Sequence, residues 1–328
     1  MKFRRPRRPG AIKRAAAVSV LLLCASALVR GAPVQGLSAA GGQSPSSAPV
    51  TRTVRVTVGT EKGTLLPELT PADFEVKEDG KSREVLRVEP LTGPVSVAVL
   101  LDDKGSDINE IRSALATFIQ GMQGRAEVSL VSVVPTVVKV FDYTASAPAM
   151  IAGIQRLVWR AGPSGGLLLS AIADAADELT RREAANPSIV VVTFEGEESR
   201  SHKSASDILA ALERSHAALH VVAVGTPTLR RMNRAVVESG DAQGDDWVVD
   251  QQNRNAVLGE GPKQSGGRRH ELSVATGLTK ALAAVAEDLL NQRAIVYAGA
   301  TESKPSRKLS VSVKRRGLSV RAPTKIIG

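Results

Sequence analysis

The stretch VSVAVLLDDKGSDINEIRSALATFIQGM, residues 95–122, decides the fold. Val95 to Leu101 is almost continuously apolar and ends on Asp102-Asp103. This pattern predicts a strand buried on both faces, because a half-solvated strand would alternate apolar and polar residues. Beyond a short polar loop, Ile108, Ile111, Leu115, Phe118 and Met122 recur at helical spacing, with Ser106 or Asp107 placed as cap. A buried strand feeding an amphipathic helix is the building unit of a parallel sheet.

Downstream the unit repeats. Apolar strands are expected at 127–134 and 137–142, a helix at 147–157 and a loop at Gly162 to Gly166. A helix on Leu168, Ile172, Ala175 and Leu179 comes next, then a buried strand Ile189 to Phe194, a helix at 205–216 and a strand Leu219 to Val224. The alternation predicts a doubly wound, mostly parallel α/β domain over 93–291. Residues 226–270 interrupt it with a polar, Gly- and Arg-rich insertion. A structureless loop of that length is uncommon, so a short helix near Arg230 to Ser239 is expected inside it, the rest being mobile. Helical spacing resumes at Leu278, Leu282, Val285 and Leu289.

Both ends of the folded chain read as β. TRTVRVTV, residues 51–58, alternates, and Thr70-Pro71-Ala72-Asp73 has the form of a capped single turn. Phe74 to Lys77 alternates again, Glu78-Asp79-Gly80-Lys81 is a hairpin signal, and Glu84 to Val88 is the expected returning strand. Strands are also expected at 294–298, 308–314 and 318–321. Segments 51–92 and 292–328 are therefore expected to pack together as a small β-domain.

The formal charge of +10 suggests nucleic acid until its location is considered. Residues 1–32 hold Lys2, Arg4, Arg5, Arg7, Arg8, Lys13, Arg14 and Arg30 with no acid, and setting those eight aside leaves 35 basic against 33 acidic residues. Aromatic residues make up only 3% of the chain, too few for base or sugar stacking, so no nucleic-acid partner is expected. Residues 1–32 have the order of a secretory signal: a basic stretch to Arg14, an apolar run Ala15 to Leu23, then Ala25 and Ala27 in A-x-A spacing. The protein is expected to be exported to periplasm, envelope or exterior, with 33–50 as a flexible linker. Membrane attachment would come only from an uncleaved signal or from acylation of Cys24, the single cysteine.

In doubly wound folds ligands bind beyond the carboxyl ends of the strands, where the strand order reverses. The polar residues there are Asp102, Asp103, Lys104 and Ser106 after the first strand, Ser164 before the third helix, and Glu195 after the fourth strand. No G-x-G-x-x-G, phosphate loop, G-x-S-x-G or H-E-x-x-H is present, and His202, His216, His220 and His270 read as ordinary surface or edge residues. No catalysis is expected. A hydrolase using the Asp102 and Glu195 carboxylates is the remote alternative.

The order of elements, DFEVKEDGK at 73–81 and VSVKRRGLSVRA at 311–322 resemble the bacterial secreted proteins related to the von Willebrand factor type A domain, over about residues 51–328. The resemblance implies a metal-ion-dependent adhesion site, in which a D-x-S-x-S strand end, a Thr and an Asp hold Mg²⁺ or Mn²⁺ and a partner's carboxylate completes the shell. Asp102 and Ser106 match that pattern, and Glu195 stands for the Asp. Lys104 replaces the first Ser, and Leu167 falls where the Thr belongs unless a shifted loop lets Ser164 serve. An ammonium beside Asp102 and a ligand position without oxygen describe a degenerate site with Lys104 neutralising Asp102 and Glu195, so no cofactor is expected unless Mg²⁺ or Mn²⁺ still binds.

The expected function is protein–protein interaction or adhesion at the face of Asp102, Asp103, Lys104, Ser106, Ser164 and Glu195. The alternative is a structural envelope module with no strand-end ligand. Lys304, Arg307, Lys308, Lys314, Arg315, Arg316, Arg321 and Lys325 stand against Glu302 alone in residues 301–328, which reads either as a solvated strand edge protected from aggregation or as a surface for an anionic envelope polymer.

Overall fold

The computed structural model describes residues 50–60, 67–102, 108–122, 124–134, 136–158, 167–194, 203–226, 231, 245–302, 304 and 306–327. The signal, most of the linker, Cys24 and nearly all of the helix expected at 230–239 lie outside these residues.

Strand β5 (Val95–Asp102) is buried along its whole length, as its apolar run requires. It lies inside a six-stranded sheet that also contains β6 (Ala126–Ser132), β7 (Val138–Thr144), β8 (Pro187–Phe194), β9 (Ala218–Val224) and β10 (Arg269–Leu272), in the order β10-β9-β8-β5-β6-β7. All pairings are parallel except β6 with β7, which forms the antiparallel edge. The chain winds outward from β5 in one direction through β6 and β7, then in the other through β8, β9 and β10. The order therefore reverses between β5 and β8.

Period-two alternation sends β5 side chains to two cores. Val95, Val97, Val99 and Leu101 join the cluster under α1 (Ile108–Met122), α2 (Ala147–Gln155) and the helix Leu278–Leu290. Ala98 and Leu100 join the cluster under α3 (Leu167–Arg181) and α4 (Ala205–Ser215). Leu100 is 1% exposed, and full burial of such a side chain is worth roughly 1.5–3 kcal/mol. The fold class is thus the doubly wound α/β arrangement expected from the alternation of strands and helices.

The insertion is where the sequence reading departs most from the structure. Its described part forms α5 (Asp245–Arg254), a π-turn over Asn255–Glu260, the short α6 (Gly261–Gln264) and β10. Val257 and Leu258 supply an anchor in the α3/α4 core. Two adjacent apolar residues carry no period, and RHEL holds one apolar residue at a sheet edge, so neither element announces itself in sequence. Asn253 Oδ1 accepts from the Ala205 amide at 3.1 Å and Ser265 Oγ from the Leu219 amide at 2.9 Å, fixing the insertion to α4 and β9. The chain then enters α7 (Leu278–Leu290).

The chain ends build two antiparallel sheets. β1 (Thr51–Thr60), β4 (Val85–Pro90), β11 (Gln292–Ala298) and β13 (Leu318–Arg321) form one in the order β13-β1-β11-β4. β2 (Phe74–Glu78), β3 (Lys81–Arg83), β12 (Ser306–Val313) and β14 (Lys325–Ile327) form the other in the order β14-β12-β2-β3. Val54, Val56, Val58, Phe74, Val76, Ile295, Tyr297 and Leu309 pack between them. The Thr70 turn has its capping box, with the Thr70 amide donating to Asp73 Oδ2 at 2.8 Å, and Asp79 and Gly80 take positive φ in the hairpin. The return strand differs from the reading: only Lys81–Arg83 pairs with β2, and Val85–Pro90 pairs instead with β11. The chain changes sheets at Glu84, whose carbonyl accepts from the Ala298 amide at 2.9 Å.

Candidate functional site

Asp102 is the last residue of β5 and pairs in register with Thr193 of β8, across the point where strand order reverses. Alternation places both on the α3/α4 side of the sheet, with Ala98, Leu100, Ile189 and Val191. Asp102 is 3% exposed and Thr193 fully buried. A buried carboxylate needs donors or a counter-charge. The Thr193 hydroxyl donates to Asp102 Oδ2 at 2.7 Å. Arg254, at the end of α5, brings Nη2 to 2.9 Å from Thr193 Oγ1 and 3.9 Å from Asp102 Oδ2. Two residues from distant segments, Thr193 and Arg254, thus converge on one carboxylate oxygen of Asp102.

Among the described residues the cation at this carboxylate is a guanidinium from the insertion. The residues expected alongside Asp102, namely Asp103, Lys104, Ser106, Ser164 and Glu195, lie outside the described residues, and with them the expected Lys104 pairing. Thr193 and Arg254 escaped the sequence reading. Thr193 left a trace, as the polar residue near the end of IVVVTF at the same alternation as Asp102. Arg254, inside QQNRNAVL, left none, because only the folded path of the insertion brings it to β5.

The described residues do not fit a divalent ion at Asp102 Oδ2. That oxygen already accepts from Thr193 and faces Arg254, and a divalent ion about 4 Å from a guanidinium meets roughly 8 kcal/mol of repulsion at an effective dielectric near 20. Among the described residues no three His, Cys, Asp or Glu side chains come together in a metal-holding group.

One further expectation changes. His220 is fully buried in β9, not at the surface, and neither ring nitrogen has a partner among the described residues. Burial, and then the charges of Arg321, His270, Arg55 and Arg268, push its pKa down to about 3. The basic C-terminal residues are also partly engaged. Arg307 is 2% exposed and lies 3.4 Å from Glu78 and 3.2 Å from Asp79. Lys304 meets Asp79 at 3.2 Å, Arg315 meets Asp73 at 3.0 Å, and Arg321 meets Asp288 at 2.5 Å.

No protein-family model matches the chain, and no curated protein matches it in sequence. Solved structures do match in shape. An aerotolerance-related membrane protein from Bacteroides fragilis aligns with 58% of this chain and 98% of its own at 17% identity and a TM-score of 0.39. The conserved hypothetical protein BatB from Bacteroides thetaiotaomicron covers 60% and 98% at 13% identity and a TM-score of 0.40. The proximal thread matrix protein 1 of the mussel byssus, with a zinc-occupied MIDAS motif, covers 62% and 48% at 13% identity and a TM-score of 0.41. Among the described residues no helix is long and apolar enough to cross a membrane.

Proposed function

We propose that the chain is an exported, von Willebrand factor type A-like protein that works by binding another protein at its strand-end face, without catalysis and without metal. The observation that carries this reading is the convergence of Thr193 and Arg254 on Asp102 at the reversal of strand order, where such folds place their ligands. The positive charge that a cation would supply belongs here to the chain itself. A hydrogen bond and a guanidinium commit Asp102 to holding the site together, which argues against a hydrolytic role for it. Docking of the basic C-terminal strands on an anionic envelope polymer is the less favoured reading, because Lys304, Arg307, Arg315 and Arg321 already serve internal carboxylates.

The test is capture of envelope or secreted proteins by the immobilised protein and by its Lys104→Glu variant, each with and without EDTA. Capture that ignores EDTA and falls in Lys104→Glu is expected. Capture unchanged in Lys104→Glu would place the binding surface elsewhere, and capture abolished by EDTA would contradict the metal-free reading.

A further inference from the structure

At the opposite end of β8 from Thr193, about 20 Å away at strand rise, a cavity of about 860 Å³ lies between β1 and the base of the parallel sheet. Its volume falls within the roughly 300–1,000 Å³ usual for small-ligand sites. Apolar wall comes from Leu209 and Leu212 of α4, Ala217 and Ile326. Polar groups come from the face of the β1/β11 ladder opposite the valine core, where Thr57 pairs with Gln292 and Arg55 with Ala294.

Three of these polar groups are left wanting. Arg55 Nη2 donates to the carbonyls of Pro187 and His216, each at 2.6 Å, but its buried Nη1 has no partner among the described residues. Among the described residues no carboxylate lies in ion-pair reach of this guanidinium. Thr57 Oγ1 and Gln292 Oε1 are likewise buried without partners among the described residues. Orphaned polar atoms that all line one cavity call for a ligand or ordered water, since each costs stability unpaired. The lining holds Arg52, Arg55 and Lys325 against Glu89 and Glu213; Arg52 is paired with Glu78 and Glu213 accepts from the Ser306 hydroxyl, which leaves Arg55 as the buried cation facing the cavity without a carboxylate among the described residues. The positive field reaches His216, whose pKa is lowered first by burial and then by Arg55.

We propose that this cavity binds an N-acylated α-carboxylate with an apolar side chain, the chemistry of a peptide carboxy-terminus or a free acyl amino acid. The carboxylate meets Arg55 Nη1 and the Thr57 hydroxyl, the neighbouring amide N–H meets Gln292 Oε1, and the apolar side chain lies against Leu209 and Ile326. This site is separate from the strand-end face and stands or falls without it.

Calorimetric titration of the protein with N-acetyl-leucine, N-acetyl-leucinamide and an acetylated Ala-Ala-Leu tripeptide tests the proposal. Saturable binding of at least one acid is expected, weaker by roughly tenfold or more for the amide. Tighter binding of the tripeptide assigns the site to peptide ends, and tighter binding of N-acetyl-leucine to free acyl amino acids. Arg55→Met is expected to match the loss seen with the amide. Leu209→Trp, which fills the cavity from an exposed-side wall and leaves Arg55 in place, is expected to abolish binding while the melting temperature holds, so the test survives if Arg55→Met does not fold. Equal binding of acid and amide, undiminished binding in Leu209→Trp, or no saturable binding of either acid at a few millimolar overturns the proposal.

Discussion

Arg254 Nη2 stands 3.9 Å from Asp102 Oδ2, with Thr193 Oγ1 bonded to both partners. A residue near the close of a polar insertion thereby neutralises the carboxylate that ends the first parallel strand. Both side chains are nearly enclosed, at 11% and 4% exposure. Removing one member leaves a buried charge without its counter-charge, which is costlier than losing a surface pair. Arg254→Met is therefore expected to lower unfolding free energy by roughly 2–4 kcal/mol, and Asp102→Asn, which keeps an acceptor for Thr193, by less. In urea titrations the double variant should show coupling above about 1 kcal/mol, and additive losses would mean the pair is incidental.

Glu78 is the corresponding centre of the β-sheets. It is fully buried, with Arg52 at 3.4 Å, Arg83 at 3.2 Å and Arg307 at 3.4 Å, and its Oε2 accepts from the Ala300 amide at 2.7 Å. Glu78→Gln keeps the shape and removes the charge from among three guanidinium groups. A loss of about 3–5 kcal/mol is expected in chemical denaturation, against under about 1 kcal/mol for Glu89→Gln, whose Arg87 pair is exposed.

The histidines make stability fall in mild acid. His220 titrates near 6.5 when unfolded and near 3 when folded, so between those values the unfolded chain binds the extra proton. Stability is complete above about pH 6.5 and declines as pH falls, by up to roughly 1.4 kcal/mol per pH unit. His216 and His270 are shifted the same way, each chiefly by burial, and add to the slope. Asp73 acts lower: the Thr70 amide, and less strongly Arg315, depress its pKa, so its contribution is lost only below the ordinary carboxylate range. Melting curves of His220→Leu between about pH 6.5 and pH 4 should be flatter than wild type, and an equal slope would refute the assignment to His220.

Gly267 lies where the insertion packs tightly on the backbone of β9. A Cβ there would lie 1.9 Å from the Leu219 carbonyl oxygen, a backbone atom that cannot swing aside. Gly267→Ala is expected to cost at least about 3 kcal/mol and to loosen β10 from β9, seen as faster amide exchange at Val221, which donates to the Arg268 carbonyl at 2.9 Å. Gly80→Ala should do less harm, since only its positive φ is strained and nothing lies within 4 Å.

How much of this was readable follows from which residues carry a period. The β5 run and the α1 spacing are properties of neighbours in sequence, and they gave the parallel sheet and the position of Asp102 at its end. The sheet-switching at Glu84 was not readable, because KSR in β3 carries no apolar period and VLRVEP in β4 only an interrupted one, so neither names the partner that receives it. β10 was hidden by its single apolar residue, and the pair of Val257 and Leu258 by its lack of periodicity. Arg254 was hidden for a deeper reason: a charge of opposite sign to Asp102 occurs throughout the chain, and only tertiary packing selects which one arrives. Lys104, the choice suggested by proximity in sequence, lies outside the described residues, and among those described the cation that reaches the carboxylate is a guanidinium from across the fold.

The most direct test of a strand-end site that carries its own cation is calorimetric titration of the protein with Mn²⁺, beside Asp102→Ala and Arg254→Ser. No saturable binding in the wild type is expected, with any site appearing only when Arg254 is replaced. Saturable binding in the wild type that Asp102→Ala abolishes and Arg254→Ser leaves unchanged would contradict it.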